Sequence, residues 1–99
     1  MAKPAFTPQQ AAEAVAIQAL SFIAGEPARL GRFLAETGLG PESIRSAARD
    51  ATFMTAVLDF VLSDERIAKD FAVAAEFPAG TVRDARETLG GPDWEREEP

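Results

Sequence analysis

The sequence of 99 residues contains no cysteine, no histidine and no tyrosine. Without cysteine the chain cannot form disulfides, thiolate metal sites or thiol nucleophiles, and a reducing compartment is compatible with it. Without histidine it lacks the commonest general base and the commonest metal ligand. Because an enzyme built on this chain would have only Asp, Glu, Lys, Arg, Ser or Thr to work with, we expect a non-enzymatic protein without a cofactor.

Excess positive charge and long apolar runs are also missing. The net charge is −6, and an acidic domain repels phosphate backbones, so nucleic acid is a disfavoured partner. No run approaches the ~18 consecutive apolar residues of a membrane span. The first segment, MAKPAFTPQQ, has one lysine and no apolar core, unlike a signal peptide. These observations predict a cytoplasmic protein that does not bind a membrane.

Apolar residues, 46% of the chain, recur at helical spacing, and no segment alternates as a strand does. The pattern predicts an all-α compact bundle of about six helices in one domain over residues 8–91. An N-terminal tail (1–7) and an acidic, flexible C-terminal tail (92–99) flank it. The third helix is short and ends at about Arg49. The predicted N-caps are Thr7 with a capping box to Gln10, Asp50, Ser63 or Asp64, and Thr81.

The fourth predicted helix, FMTAVLDFVL, is apolar around more than half of its circumference, which favours a central position. Its narrow polar stripe consists of Thr55 and Asp59, and Ser63 follows at the next turn. Asp59 is a candidate functional carboxylate beside hydroxyls, although the stripe also suits the solvent-facing edge of a buried helix. A cation site formed by Asp59, Asp64 and Glu65 is a weaker interpretation, because capping explains the last two.

A second pattern is an echo of the chain at a spacing of 38 residues. Phe22 corresponds to Phe60 and Phe33 to Phe71, without a gap between the two stretches. The echo predicts two similar three-helix units. The alternative, independent helices that share the 3.6-residue period, stays open.

Three arginines are candidate interaction residues: Arg45, Arg83 and Arg86. The segment FPAGTVRDARETL resembles the second half of a helix-turn-helix, with Arg83 and Arg86 toward DNA. Against this interpretation, Asp84 and Glu87 lie among them, and Arg83 can pair with Glu87 one turn away.

The acidic segment PDWEREEP contains the single tryptophan, Trp94. A lone tryptophan in a charged tail is a candidate docking anchor for a partner. It can equally fold back onto its own domain.

The runs AVAIQALSFIAG, RLGRFLAETGL and FMTAVLDFVLSDE, with the closing LGGP, resemble the bacterial family known as domain of unknown function 3572. The likeness covers roughly residues 11–92. It implies a small all-helical protein and no activity, so it supplies no catalytic, cofactor or metal residue. Phe77–Pro78 stands where a glycine-containing turn is expected.

The sequence offers no catalytic, metal or cofactor motif, and it has a broadly apolar fourth helix and Trp94. Together these features predict a protein-interaction or accessory module. Its partner is an unknown protein or a second copy of the chain. A small helix-turn-helix regulator and a helical protein that binds an apolar small ligand stay open as alternatives.

Overall fold

The computed structural model describes residues 7–40, 42 and 50–90, and these residues form five helices and no strand. The helices are α1 (Pro8–Ala24), α2 (Pro27–Thr37), α3 (Ala51–Leu62), α4 (Glu65–Ala75) and α5 (Thr81–Gly90). The all-α prediction is confirmed, but five helices are seen rather than about six. The third predicted helix, with Arg45, falls in a part of the chain outside the described residues, as do almost all of both predicted tails.

Hydrogen bonds within three residues fix the helix starts. Thr7 caps α1: its Oγ1 accepts from the Gln10 backbone N–H at 3.0 Å, and the Gln10 side chain accepts from the Thr7 N–H at 3.1 Å. Asp50 caps α3, and Asp64 rather than Ser63 caps α4. The predicted caps of α1, α3 and α4 are therefore confirmed. Thr81 is the first residue of α5 rather than its cap.

The residues that end the helices have the same backbone conformation at positions 38 residues apart. Gly38 ends α2 with a left-handed backbone (φ 74°), and its equivalent Glu76 ends α4 in the same region (φ 59°). Earlier in each stretch, Gly25 and Ser63 both end a helix in the right-handed region, with φ and ψ of −72° and −12° against −74° and −14°. The α1–α2 and α3–α4 hairpins thus share their turn conformations at equivalent positions.

Helices α1 and α3 form the centre of the fold. Among the described residues fifteen apolar residues are buried, and the fourth predicted helix, α3, supplies six of them and α1 five. Those of α3 are Phe53, Met54, Val57, Leu58, Phe60 and Val61. Helix α1 packs against all four other helices, and its small residues Ala12, Ala16 and Ala19 let its neighbours approach closely.

Equivalent phenylalanines join the two hairpins reciprocally. Phe22 on α1 contacts Phe71 on α4, with ring centroids 5.4 Å apart. Phe60 on α3 contacts Phe33 on α2 at 5.3 Å. Each hairpin therefore places the aromatic residue of its second helix against that of the other hairpin's first helix. Twofold-related subunits meet in the same reciprocal way.

No described helix has both the length and the apolar character needed to cross a bilayer.

Candidate functional site

Asp59 and Arg86, two candidate residues from the sequence, face each other on α3 and α5. The Arg86 Nε donates to Asp59 Oδ1 at 2.7 Å, and a second guanidinium nitrogen lies 3.4 Å from Oδ2. This two-point geometry is typical of arginine–carboxylate pairs. Both side chains remain partly exposed, so the pair is worth about 0–1 kcal/mol. Asp59 is therefore a partner of Arg86 at the surface, and not a carboxylate in an apolar surround.

The stripe around Asp59 is the solvent-facing edge of α3. Asp59 and Ser63 are exposed and Thr55 is half-buried. The Ser63 hydroxyl donates to the Phe60 carbonyl oxygen at 2.8 Å. The structure therefore agrees with the interpretation of this stripe as the polar edge of a buried helix.

A second ion pair crosses between helices at the start of α4. Arg32 on α2 donates to Asp64 Oδ2 at 3.0 Å and to Glu36 on its own helix at 3.1 Å. The hydrogen bond from Arg32 lowers the pKa of the Asp64 carboxyl, and the backbone N–H of Ile67 lowers it further. Asp59 and Asp64 thus serve different arginines, and the described residues contain no group of three or more potential metal-ligating side chains.

A largely apolar open groove lies between α4 and α5, with a volume of about 300 Å³. We call it the α4–α5 groove. Its apolar surface comes from the end of α3, one side of α4, the α4–α5 turn and the start of α5. The apolar residues are Leu62, Ala68, Ala72, Pro78, Ala79 and Val82.

The groove exists because these segments carry small side chains. Ala68 and Ala72 are one turn apart on α4 and so share the side that faces the start of α5. The turn opposite them ends in Ala79 and Gly80, and Gly80 has a positive φ of 91° that favours glycine. Helix α5 packs mainly against α1 and α3 rather than against α4, so these small side chains leave open space between α4 and α5.

Charged side chains border this apolar surface. Lys69 on α4 and Arg83 on α5 are exposed cations that line the groove, and Glu65 is an exposed anion at its edge. The border is therefore locally cationic on a chain of net charge −6. An apolar floor with two cations at its edge is suited to an apolar group that carries carboxylates beside it.

A second depression lies next to the α4–α5 groove along α5. Asp59, Leu62, Arg83, Arg86 and Glu87 line this depression, which has a volume of about 420 Å³. Leu62 and Arg83 belong to both. The second depression and the groove thus lie side by side along α5, and together we call them the strip.

The structure brings three of the five candidate residues to this strip: Asp59, Arg83 and Arg86. Arg45 and Trp94 lie outside the described residues. The intrahelical pair of Arg83 with Glu87, considered from the sequence, does not form among the described residues. Arg83 is instead an exposed group that borders the α4–α5 groove.

Sequence reasoning missed the groove itself. On α4, Ala74 is exposed and the groove side is that of Ala68 and Ala72. The signal that was available is a helix with alanines one turn apart, followed by a turn of Pro, Ala and Gly. Lys69 had no distinguishing pattern, because its role depends on which side of α4 faces α5.

These features define a small all-helical domain with an open, cation-bordered apolar groove. The chain belongs to the family described as protein of unknown function (DUF3572), whose model matches residues 9–92. The matched range includes the whole groove lining. No curated protein and no solved structure is significantly similar to the chain.

Proposed function

We propose that this protein is a non-enzymatic interaction module whose α4–α5 groove binds a segment of a partner protein. The observation that carries the proposal is the apolar floor of Ala68, Ala72 and Val82 with Lys69 and Arg83 beside it. The matching segment presents one large apolar side chain with one or two carboxylates next to it.

The dimensions of the groove support this choice. A volume of about 300 Å³ is at the lower end of ligand sites, and accommodates one large side chain rather than an extended cofactor. Because the lining consists mostly of alanine, proline and glycine, the partner has to supply the bulk. Large anchors in complementary pockets carry most of the binding energy at protein interfaces.

The charge distribution supports a local role for the two cations. The chain repels acidic partners at long range because of its net charge of −6. Lys69 and Arg83 act at short range, where they select a carboxylate next to the anchor and so contribute specificity.

A DNA-binding role has less support. Arg86 is hydrogen-bonded to Asp59, and Asp84 and Glu87 flank Arg83 along α5. A phosphate backbone approaching α5 would meet the carboxylates of Asp84 and Glu87, while one of the two arginines, Arg86, is already engaged by Asp59. An apolar small ligand remains an outcome of the test below.

The test is site-specific photo-crosslinking in living cells of the source organism. A photoreactive amino acid at Ala79, which is exposed and lines the groove, is compared with the same probe at Ala74, exposed on α4 away from the groove. We expect the Ala79 probe to capture a specific protein that the Ala74 probe does not. The substitution Ala72→Phe fills the groove and should abolish that product.

The proposal fails if the two probes capture the same proteins, or if Ala72→Phe leaves the Ala79 product unchanged. A small-molecule adduct at Ala79 in place of a protein would instead identify the groove as a ligand site.

A further inference from the structure

The chain itself contains a segment with the chemistry that the groove fits. Residues 92–99 read PDWEREEP and combine one large aromatic residue, Trp94, with four carboxylates and one arginine. We propose that this segment occupies the α4–α5 groove of its own chain, with Trp94 on the apolar floor and neighbouring carboxylates against Lys69 and Arg83. A partner then has to displace it. The inference rests on the proposed function for its regulatory meaning, and on the groove alone for the docking.

The length of the connection permits this placement. The groove-lining residue Val82 precedes Gly90, the last residue of α5, by eight positions. At about 1.5 Å per helical residue this is about 12 Å along the axis. Residues 91–94 span at most about 13–14 Å when extended. A chain that reverses after Gly90 therefore brings Trp94 level with Val82, and the indole reaches beyond its own Cα.

The direction of the strip supports the same route. The depression lined by Leu62, Arg83 and Glu87 lies next to the groove along α5 and shares Leu62 and Arg83 with it. A chain that runs back antiparallel to α5 therefore follows a concave surface.

The charges are complementary at the end of that route. The segment carries Asp93, Glu95, Glu97 and Glu98 around Trp94 and Arg96. Lys69 and Arg83 border the groove on the α4 and α5 sides, so an indole on the floor has a cation on either side. Carboxylates adjacent to the indole are then within reach of both.

The composition of the chain provides a direct measurement. Trp94 is the only tryptophan and there is no tyrosine, so the ultraviolet emission of the full-length protein reports on this segment alone. We expect blue-shifted emission and weak acrylamide quenching in the intact protein, compared with a free peptide of residues 91–99. The double substitution Lys69→Glu with Arg83→Glu should weaken docking roughly 2- to 30-fold, because two exposed ion pairs are lost. Its emission and quenching should move toward those of the peptide.

The control is Arg66→Glu, a single reversal of charge at an exposed residue of α4 that does not line the groove, and it is matched to each single reversal, Lys69→Glu or Arg83→Glu. It should leave emission unchanged, and far-UV circular dichroism should show the same helix content in every variant. Ala72→Phe should release Trp94 without any change of charge.

Three results would overturn the inference. The first is quenching in the intact protein equal to that of the peptide. The second is equal effects of Arg66→Glu and the double reversal. The third is emission that changes on dilution, since this would place the segment in the groove of a second copy.

Crosslinking separates this inference from the proposed function. If the segment competes with a partner, Trp94→Ala increases the Ala79 crosslink. If the Ala79 probe captures a specific protein and Trp94→Ala does not change the yield, the groove is a partner site but residues 92–99 do not regulate it.

Discussion

Replacing Phe33 by leucine tests the aromatic contacts that join the two hairpins. Phe33 is 0% exposed, and its ring meets Phe53 at 6.1 Å and Phe60 at 5.3 Å, both edge-on with interplanar angles of 76° and 79°. Leucine keeps the site apolar and removes both ring contacts.

The expected loss follows from those contacts. An aromatic pair is worth about 0.5–1.5 kcal/mol beyond its buried area, so two pairs give about 1–3 kcal/mol. For a domain of this size, each kcal/mol lowers the melting temperature by about 4–8 °C. We therefore expect Phe33→Leu to melt roughly 4–24 °C below the unmodified protein.

The reciprocal arrangement makes a second, linked prediction. Phe71, the equivalent of Phe33, is 1% exposed and contacts Phe22 at 5.4 Å and Phe77 at 5.6 Å. Because it also has two ring partners, Phe71→Leu should cost a similar amount, within about 1 kcal/mol. If the two losses differ by several kcal/mol, the two hairpins do not contribute equally to the stability of the core.

Urea unfolding followed by far-UV circular dichroism measures these losses, with the slope unchanged if only stability has changed. Val73→Ala is the control, since Val73 is 78% exposed and a surface change is normally within about 0.5 kcal/mol. The reasoning is refuted if Phe33→Leu is no more destabilising than Val73→Ala.

Three further predictions concern single contacts. Because the hydrogen bond from Arg32 lowers the folded-state pKa of Asp64 below its ordinary 3.8, the stability it adds is complete above that pH and lost as pH falls through the lowered value. Asp64→Asn keeps a good capping residue but removes the charge. In urea titrations its free energy of unfolding should therefore lie below that of the unmodified protein at neutral pH, and the two values should approach each other at acid pH. A difference that stays the same at every pH would contradict this. Thr7→Ala should cost about 1 kcal/mol in the same assay through loss of the α1 cap, and no loss would mean that the first turn is frayed. A double-mutant cycle of Asp59→Ala and Arg86→Ala should give a coupling of about 0.2–1 kcal/mol, weaker at high salt, and zero coupling would remove the pair as a link between α3 and α5.

Local features of the fold were predictable from the sequence because their causes are local. The Thr7 capping box and the Asp50 and Asp64 caps each depend on hydrogen bonds across two or three residues. The left-handed end of α2 falls on Gly38, and glycine is the residue type that this conformation favours. The one-residue difference at Thr81 arises because a cap and a first helical residue have similar sequence preferences.

Contacts between helices were not predictable in the same way. Arg86 was a candidate DNA contact in the helix-turn-helix interpretation, and it reaches Asp59 on α3 instead. Which side chains meet depends on how two helices cross, and many crossings satisfy the same apolar stripe. The 38-residue echo identified Phe22, Phe33, Phe60 and Phe71 as equivalent, but not that they pair reciprocally between hairpins.

The sequence by itself determined the helical class, the family and most of the helix termini, because apolar period and capping chemistry act over a few residues. It also determined that Ala68, Ala72 and Gly80 are small. Only the tertiary structure decided that these small residues line an open groove with Lys69 and Arg83 beside it, rather than a close helix contact. The physical reason is that small side chains allow either outcome, and the position of α5 is set by its packing against α1 and α3, not by contact with α4.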